Sequence, residues 1–116
     1  MKYKLLVLDL DGTLTNNRKE ITDRTRLSLI EAQKKGVKLV LASGRPTYGI
    51  VPLAEKLEMQ RYEGYILAYN GGEIIDWKTR ELMYKNVLDP EVLPYLYQCA
   101  KDNHFAIVSY DGESGR

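Results

Sequence analysis

Long hydrophobic runs are missing from this chain. Its longest strongly apolar stretches are strand-sized, well short of the roughly 18 to 20 residues that cross a bilayer, so no membrane partner is expected. A single cysteine, Cys99, leaves no internal disulfide to form; it lies beside a helical stripe and reads as a small buried or half-buried residue. The single histidine, His104, opens a candidate strand, has no partner at ligand or triad spacing and reads as structural. Charge of one sign is also missing. Seventeen basic residues against sixteen acidic give a net charge of +1, which excludes the field that holds a nucleic acid backbone. The opening residues 1–4 lack the charged-then-apolar order of a signal peptide, and the cytoplasm is the expected compartment. No repeat, low-complexity tract or charged tail interrupts the chain.

What is present is ordinary globular composition, 44% hydrophobic and 28% charged. At 116 residues, folding buries roughly two thirds of the surface of the unfolded chain, enough for one core.

Residues 3–8 form an apolar run too short for a helix, which predicts a buried parallel strand ending at Asp9. Residues 22–35 favour helix, with Thr22 as N-cap and Gly36 just past the end. A second strand over 37–42 runs into Ser43-Gly44-Arg45-Pro46. Pro46 suits a helix start, and Ile50, Leu53, Ala54 and Leu57 then mark one apolar stripe. A third strand over 64–69 ends at Asn70-Gly71-Gly72, a hairpin-turn signal, with short strands over 73–76 and 82–85 after it. Pro90 opens a third helix with the stripe Leu93, Leu96, Tyr97 and Ala100, and 105–110 reads as a last strand. This order predicts an α/β fold, a Rossmann-like parallel sheet with flanking helices, with a boundary near 86–89. Asp9, Ser43 and Asn70 then stand at the carboxyl ends of three neighbouring strands, the edge where such sheets bind ligands.

The chemistry concentrates in two segments. In Asp9-Leu10-Asp11-Gly12, the first acid ends a strand, and the glycine lets the chain turn and bring Asp11 back beside it. Carboxylate and carbonyl oxygens there suit Mg2+. One acid is placed to attack phosphorus and form an aspartyl-phosphate, and the other to shuttle a proton to the leaving group and from water. Ser43-Gly44-Arg45-Pro46 sits where a strand passes into a helix, so a hydroxyl, backbone N–H groups and the positive end of the helix dipole form a phosphate cradle. Phosphoryl transfer depends on positioning and charge stabilisation, and acids facing such a cradle make a coherent unit. Blander readings compete. Asp-Gly is a common turn, Ser-Gly-Arg is also helix-cap chemistry, and Asn70 is as much a turn residue as a substrate contact. A calcium loop fails on spacing, because Gly12 occupies the fourth place counted from Asp9 where the sixth is required. Tyr48, near the cradle, is read as packing rather than stacking on a substrate.

These residues resemble the haloacid dehalogenase (HAD) superfamily of phosphatases: DLDGTLT over 9–15 is similar to its first motif and ASGRP over 42–46 to its second. The Asn70-Gly71-Gly72 turn leading into Glu73-Ile74-Ile75 resembles the Cof-type subfamily, mostly phosphatases of sugar phosphates and related metabolites. The resemblance implies Asp9 as nucleophile and magnesium ligand, and Asp11 as general acid/base with its carbonyl on the metal. It implies a backbone contact from Leu10 to phosphate, Ser43 and Gly44 on the transferring phosphoryl group, Arg45 as an anchor or substrate contact, and Asn70 as a further substrate contact. It also implies a truncated member, because the third-motif lysine and the late GDxxND motif have no counterpart, and Lys78 and Lys85 do not stand in for them. Residues 1–86 then correspond to the N-terminal part of the core and 87–116 to the start of an α+β cap. By itself such a chain is expected to be nearly inactive. Two other functions stay open: a phosphotransferase or mutase of the same chemistry, and a receiver-like phosphoacceptor module, whose acidic acceptor would stand where Tyr69-Asn70 stands here.

Overall fold

The computed structural model describes residues 2–110, which divide after Lys85 into two compact units. In the first, strands β1 (Leu5–Asp9), β2 (Lys38–Ala42), β3 (Gly64–Ala68), β4 (Glu73–Asp76) and β5 (Leu82–Lys85) form one sheet in that order. β1, β2 and β3 run parallel, and β4 and β5 complete the sheet as antiparallel neighbours. Helices α1 (Asp23–Lys34) and α2 (Thr47–Lys56) make the two crossovers.

The helices start and stop where local chemistry directs. Thr22 is extended, and its hydroxyl accepts from the Thr25 N–H at 3.3 Å; Asp23 and Lys34 complement the helix dipole at the two ends. Past the end of α1 the chain reverses at Gly36, whose φ of 93° is a conformation that glycine adopts without strain. Two successive right-handed crossovers in one direction place both helices over the same face of the sheet. On that face the stripe of α2 (Ile50, Leu53, Ala54, with Leu57 beyond) shares one buried cluster with Leu39, Leu41, Ile66 and Ala68 of the strands and with Leu29 of α1. Gln33 Nε2 donates to the Leu57 carbonyl at 2.7 Å and ties the ends of the two helices together.

The same geometry corrects the reading of β1 as a buried strand. β1 lies at the edge of the sheet, and Leu5 and Val7 remain 50% and 56% exposed. Alternation puts these two on the face opposite Leu39 and Leu41, which neither α1 nor α2 covers. The apolar run records what the strand can bury; among the described residues nothing covers its second face.

In the second unit, Asp89 caps a single 3-10 turn at Pro90–Val92, its side chain accepting from the Glu91 N–H at 3.0 Å, and α3 (Leu93–Asp102) follows. Leu93, Leu96 and Tyr97 are exposed, and so is Cys99, contrary to its sequence reading. Residues 105–110 form no strand. They have β propensity, but a strand exists only through its ladder, and no described segment pairs with them. His104, with φ 59°, belongs to the turn after α3 and begins no strand.

A candidate active site at the carboxyl edge of the sheet

Parallel register aligns the ends of the first three strands. Asp9 pairs with Ala42, and Ala42 with Leu67, so Asp9, Ser43 and the turn after Ala68 meet at one edge, with adjacent strands about 5 Å apart. Beyond Asp9 the chain folds back tightly. Leu14 N donates to the Asp9 carbonyl at 3.1 Å, Thr13 N and Thr15 N donate to the Leu10 carbonyl at 3.1 and 3.0 Å, and the Thr15 hydroxyl adds a third bond to that carbonyl at 3.2 Å. Gly12 makes the reversal with φ 83°. The Leu10 side chain is fully buried and pins the loop to the core, while Asp9 and Asp11 on either side of it stay exposed. The Thr13 hydroxyl lies 3.4 Å from Asp9 Oδ2.

The second loop is knitted to the third. Ser43 Oγ accepts from the Arg45 N–H at 3.0 Å, Asn70 N donates to the Ser43 carbonyl at 3.0 Å, and Tyr69 N donates to the Arg45 carbonyl at 3.0 Å. Tyr69, Asn70 and Gly71 have φ values of 53°, 54° and 95° and Gly72 is right-handed, so the β3–β4 connection is a four-residue loop with three left-handed residues rather than the two-residue hairpin turn that Asn-Gly suggests. This bend presses the Asn70 carboxamide against Gly44, where a Cβ would stand 3.1 Å from Asn70 Oδ1. Asn70 therefore holds the cradle loop in shape, and Gly44 leaves room for it.

Arg45 links the two chemical segments. Its Nε donates to Asp11 Oδ2 at 3.1 Å, its Nη2 pairs with Asp11 Oδ1, and its Nη1 is fastened to the Gly49 carbonyl at 3.0 Å. Lys19 adds a second cation, with Nζ 2.9 Å from Asp11 Oδ1. Neither pairing is visible in the spacing, since the partners lie 34 and 8 residues from Asp11. The Arg45 guanidinium, and then the Lys19 ammonium, hold the Asp11 carboxyl at about 2, below its ordinary 3.8. With the folded value below the unfolded one, the stabilisation from these partners is complete above pH 3.8 and is lost as pH falls through about 2. A carbon-13 titration of the Asp11 carboxyl should give a midpoint near 2 that rises toward 3.8 in Arg45→Met. A midpoint unmoved by that change would remove Arg45 as the cause.

Magnesium prefers six oxygen ligands, and the Asp9 carboxylate and Asp11 carbonyl are donors of that kind. Among the described residues no three His, Cys, Asp or Glu side chains group to hold a metal ion. The donors fit magnesium in chemistry and fall short of it in number, which leaves positions for water, for phosphate oxygen and for ligands from outside residues 2–110.

An acidic loop and the Ser43-Gly44-Arg45 loop at adjacent strand ends stand on a Rossmann-like α/β sheet with flanking helices. The chain belongs to the family of haloacid dehalogenase-like hydrolases, whose model matches residues 6–115. It is similar to a haloacid dehalogenase-like hydrolase from Bacteroides thetaiotaomicron, with 64% identity and a TM-score of 0.88 over 96% of this chain and 42% of that one. It is 37% identical over 95 residues to the YxeH protein of Bacillus subtilis, covering 82% of this chain and 35% of that protein. Over 73 residues it is 38% identical to the 5-amino-6-(5-phospho-D-ribitylamino)uracil phosphatase YcsE of Bacillus subtilis, covering 63% of this chain and 28% of that enzyme. The chain thus spans less than half the length of these relatives. No helix among the described residues is long and apolar enough to cross a membrane.

Proposed function

We propose that the complete protein is a magnesium-dependent phosphatase of the cytoplasm that hydrolyses a small phosphorylated metabolite, a sugar phosphate or a close relative, through an aspartyl-phosphate on Asp9. The observation that carries this reading is the alignment of Asp9 with Ala42, which sets a strand-end carboxylate across from the Ser43-Gly44-Arg45 loop. The relative that acts on a phosphoribityl compound supports the substrate class.

A phosphate monoester enters with its phosphoryl group against the Ser43 hydroxyl and the Gly44 N–H, next to the amino end of α2. An Asp9 carboxylate oxygen attacks phosphorus, the bond to the leaving oxygen breaks, and that oxygen takes a proton from Asp11. Asp11 then takes a proton from water as the water oxygen attacks the phosphoaspartate, which releases phosphate and restores Asp9. In the resting arrangement Asp11 is ionised by Arg45 and Lys19. The negative charge of the incoming phosphate dianion beside it pushes the Asp11 carboxyl up and favours its protonated form. Bound magnesium, on the Asp9 carboxylate and the Asp11 carbonyl, supplies the charge that lets one anion approach another.

The test is phosphate release by the complete protein from a panel of sugar and polyol phosphates. Release should stop on chelation with EDTA and return with added magnesium. Turnover that ignores chelation, or activity on none of the panel, would remove this reading.

A further inference from the structure

Lys19 was not singled out by the sequence, and its backbone is unusual for its residue type. It has φ 62°, a left-handed conformation that residues with a side chain rarely adopt and that is often retained at functional sites. Asn16 holds the loop in that shape: its N–H donates to the Glu20 carbonyl at 2.9 Å, its carbonyl accepts from Lys19 N at 3.0 Å, and its Oδ1 accepts from Arg18 N at 2.9 Å and Glu20 N at 3.1 Å. The closed loop delivers the Lys19 ammonium to Asp11 Oδ1.

That oxygen already has a cation. Arg45 engages both oxygens of Asp11, so Lys19 is not required to neutralise the carboxylate. The two cations also differ in setting. The Arg45 side chain is 27% exposed and anchored to Gly49, whereas that of Lys19 is 65% exposed and reaches Asp11 from the solvent side. That side is open to solvent and so to a leaving group facing Asp11.

We propose that Lys19 is a specificity-determining residue: its ammonium passes from Asp11 to an oxygen on the carbon next to the phosphoester in the leaving group, so that polyol phosphates are preferred to plain alkyl phosphates. This rests on Asp11 acting at the leaving oxygen, as proposed above. The ammonium offers three donors, one of which is on Asp11 here, so a neighbouring hydroxyl within reach gains a charge-assisted bond. An alkyl chain at the same place gains none.

The experiment compares glycerol 3-phosphate with propyl phosphate, which differ in the neighbouring hydroxyls, and reads the change in their ratio on substitution so that the intrinsic difference between the two leaving alcohols cancels. Wild type, Lys19→Met and Lys19→Arg of the complete protein are measured on both. In Lys19→Met, kcat/KM for glycerol 3-phosphate should fall roughly ten- to hundredfold, the range of one hydrogen bond to a charged group. Propyl phosphate turnover should fall by a smaller factor, so that the ratio of kcat/KM between the two esters drops about tenfold or more, and Lys19→Arg should recover most of that ratio, while the unfolding midpoint of each variant stays close to that of wild type, as for an exposed ion pair. An equal fall on both esters would make Lys19 a support for Asp11 alone and overturn the proposal, as would an unchanged ratio. Wild-type protein that releases phosphate from the sugar phosphates of the panel but from neither ester overturns this proposal alone, as do the two preceding outcomes, and inactivity on the whole panel overturns it together with the phosphatase reading.

Discussion

Asp9→Asn should lower phosphate release by the complete protein about a thousandfold or more, the scale on which loss of a nucleophile is felt. The substitution keeps the shape of the side chain and removes its charge. The Asp9 side chain is exposed and the Thr13 hydroxyl stands 3.4 Å from its Oδ2, a contact that an amide oxygen can also accept. The loop is held instead by backbone bonds to the Asp9 and Leu10 carbonyls and by the buried Leu10 side chain, none of which the variant touches. The unfolding midpoint should therefore change by no more than a few degrees, while turnover collapses. Normal turnover in Asp9→Asn would sink the covalent route. Collapsed turnover supports it only where the circular dichroism spectrum stays that of the folded chain, because otherwise the loss reports folding and not chemistry.

The parts of this molecule that its sequence disclosed are those governed by local rules. The Thr22 cap, the glycine after α1 and the stripe from Ile50 to Leu57 each depend on neighbours within a turn or two, and each stands where spacing predicted. The strand ends that bring Asp9 and Ser43 together follow from topology, because two crossovers of one hand leave little choice of edge. What the sequence hid depends on partners. Arg45 reaches Asp11 across 34 positions, and Lys19 does so through a loop whose left-handed bend no propensity favours. Asn70 signalled a turn correctly, but its packing on Gly44 comes from a third strand's end meeting a second's. The exposure of β1 and the missing strand at 105–110 share one cause. Apolar and β-branched residues state a preference for burial or pairing, and the described residues contain nothing to satisfy it.

Gly64 is where the fold should be most sensitive to a single added carbon. It opens β3, is buried, pairs with Leu39, and accepts from Trp77 N at 2.9 Å, so its backbone is held from two directions. A Cβ there would stand 2.8 Å from Met59 Cε and 2.9 Å from the Leu39 carbonyl oxygen. The methionine tip is flexible, although Met59 is fully buried and has little room to move. The carbonyl is backbone of β2 and cannot yield without distorting the sheet. Replacing a strand glycine by alanine ordinarily stabilises by about 0.5 to 1 kcal/mol, through reduced freedom of the unfolded chain. Overpacking costs about 1 to 3 kcal/mol and acts in the opposite direction, so Gly64→Ala should be destabilising by about 1 to 2 kcal/mol. Gly64→Val adds two methyl groups beside the same carbonyl and should lose about 3 kcal/mol or more, a large share of the stability of a domain of this size. Gly36→Ala is the control. Its φ of 93° strains any side chain, but no atom lies within 4 Å of its Cβ position, so only the backbone cost of about 1 kcal/mol applies. Urea unfolding of the three variants should rank them Gly36→Ala, Gly64→Ala, Gly64→Val in increasing loss. A Gly64→Val chain as stable as wild type would mean that β2 and β3 are not packed at the separation that sets the Asn70 turn against Ser43 and Gly44.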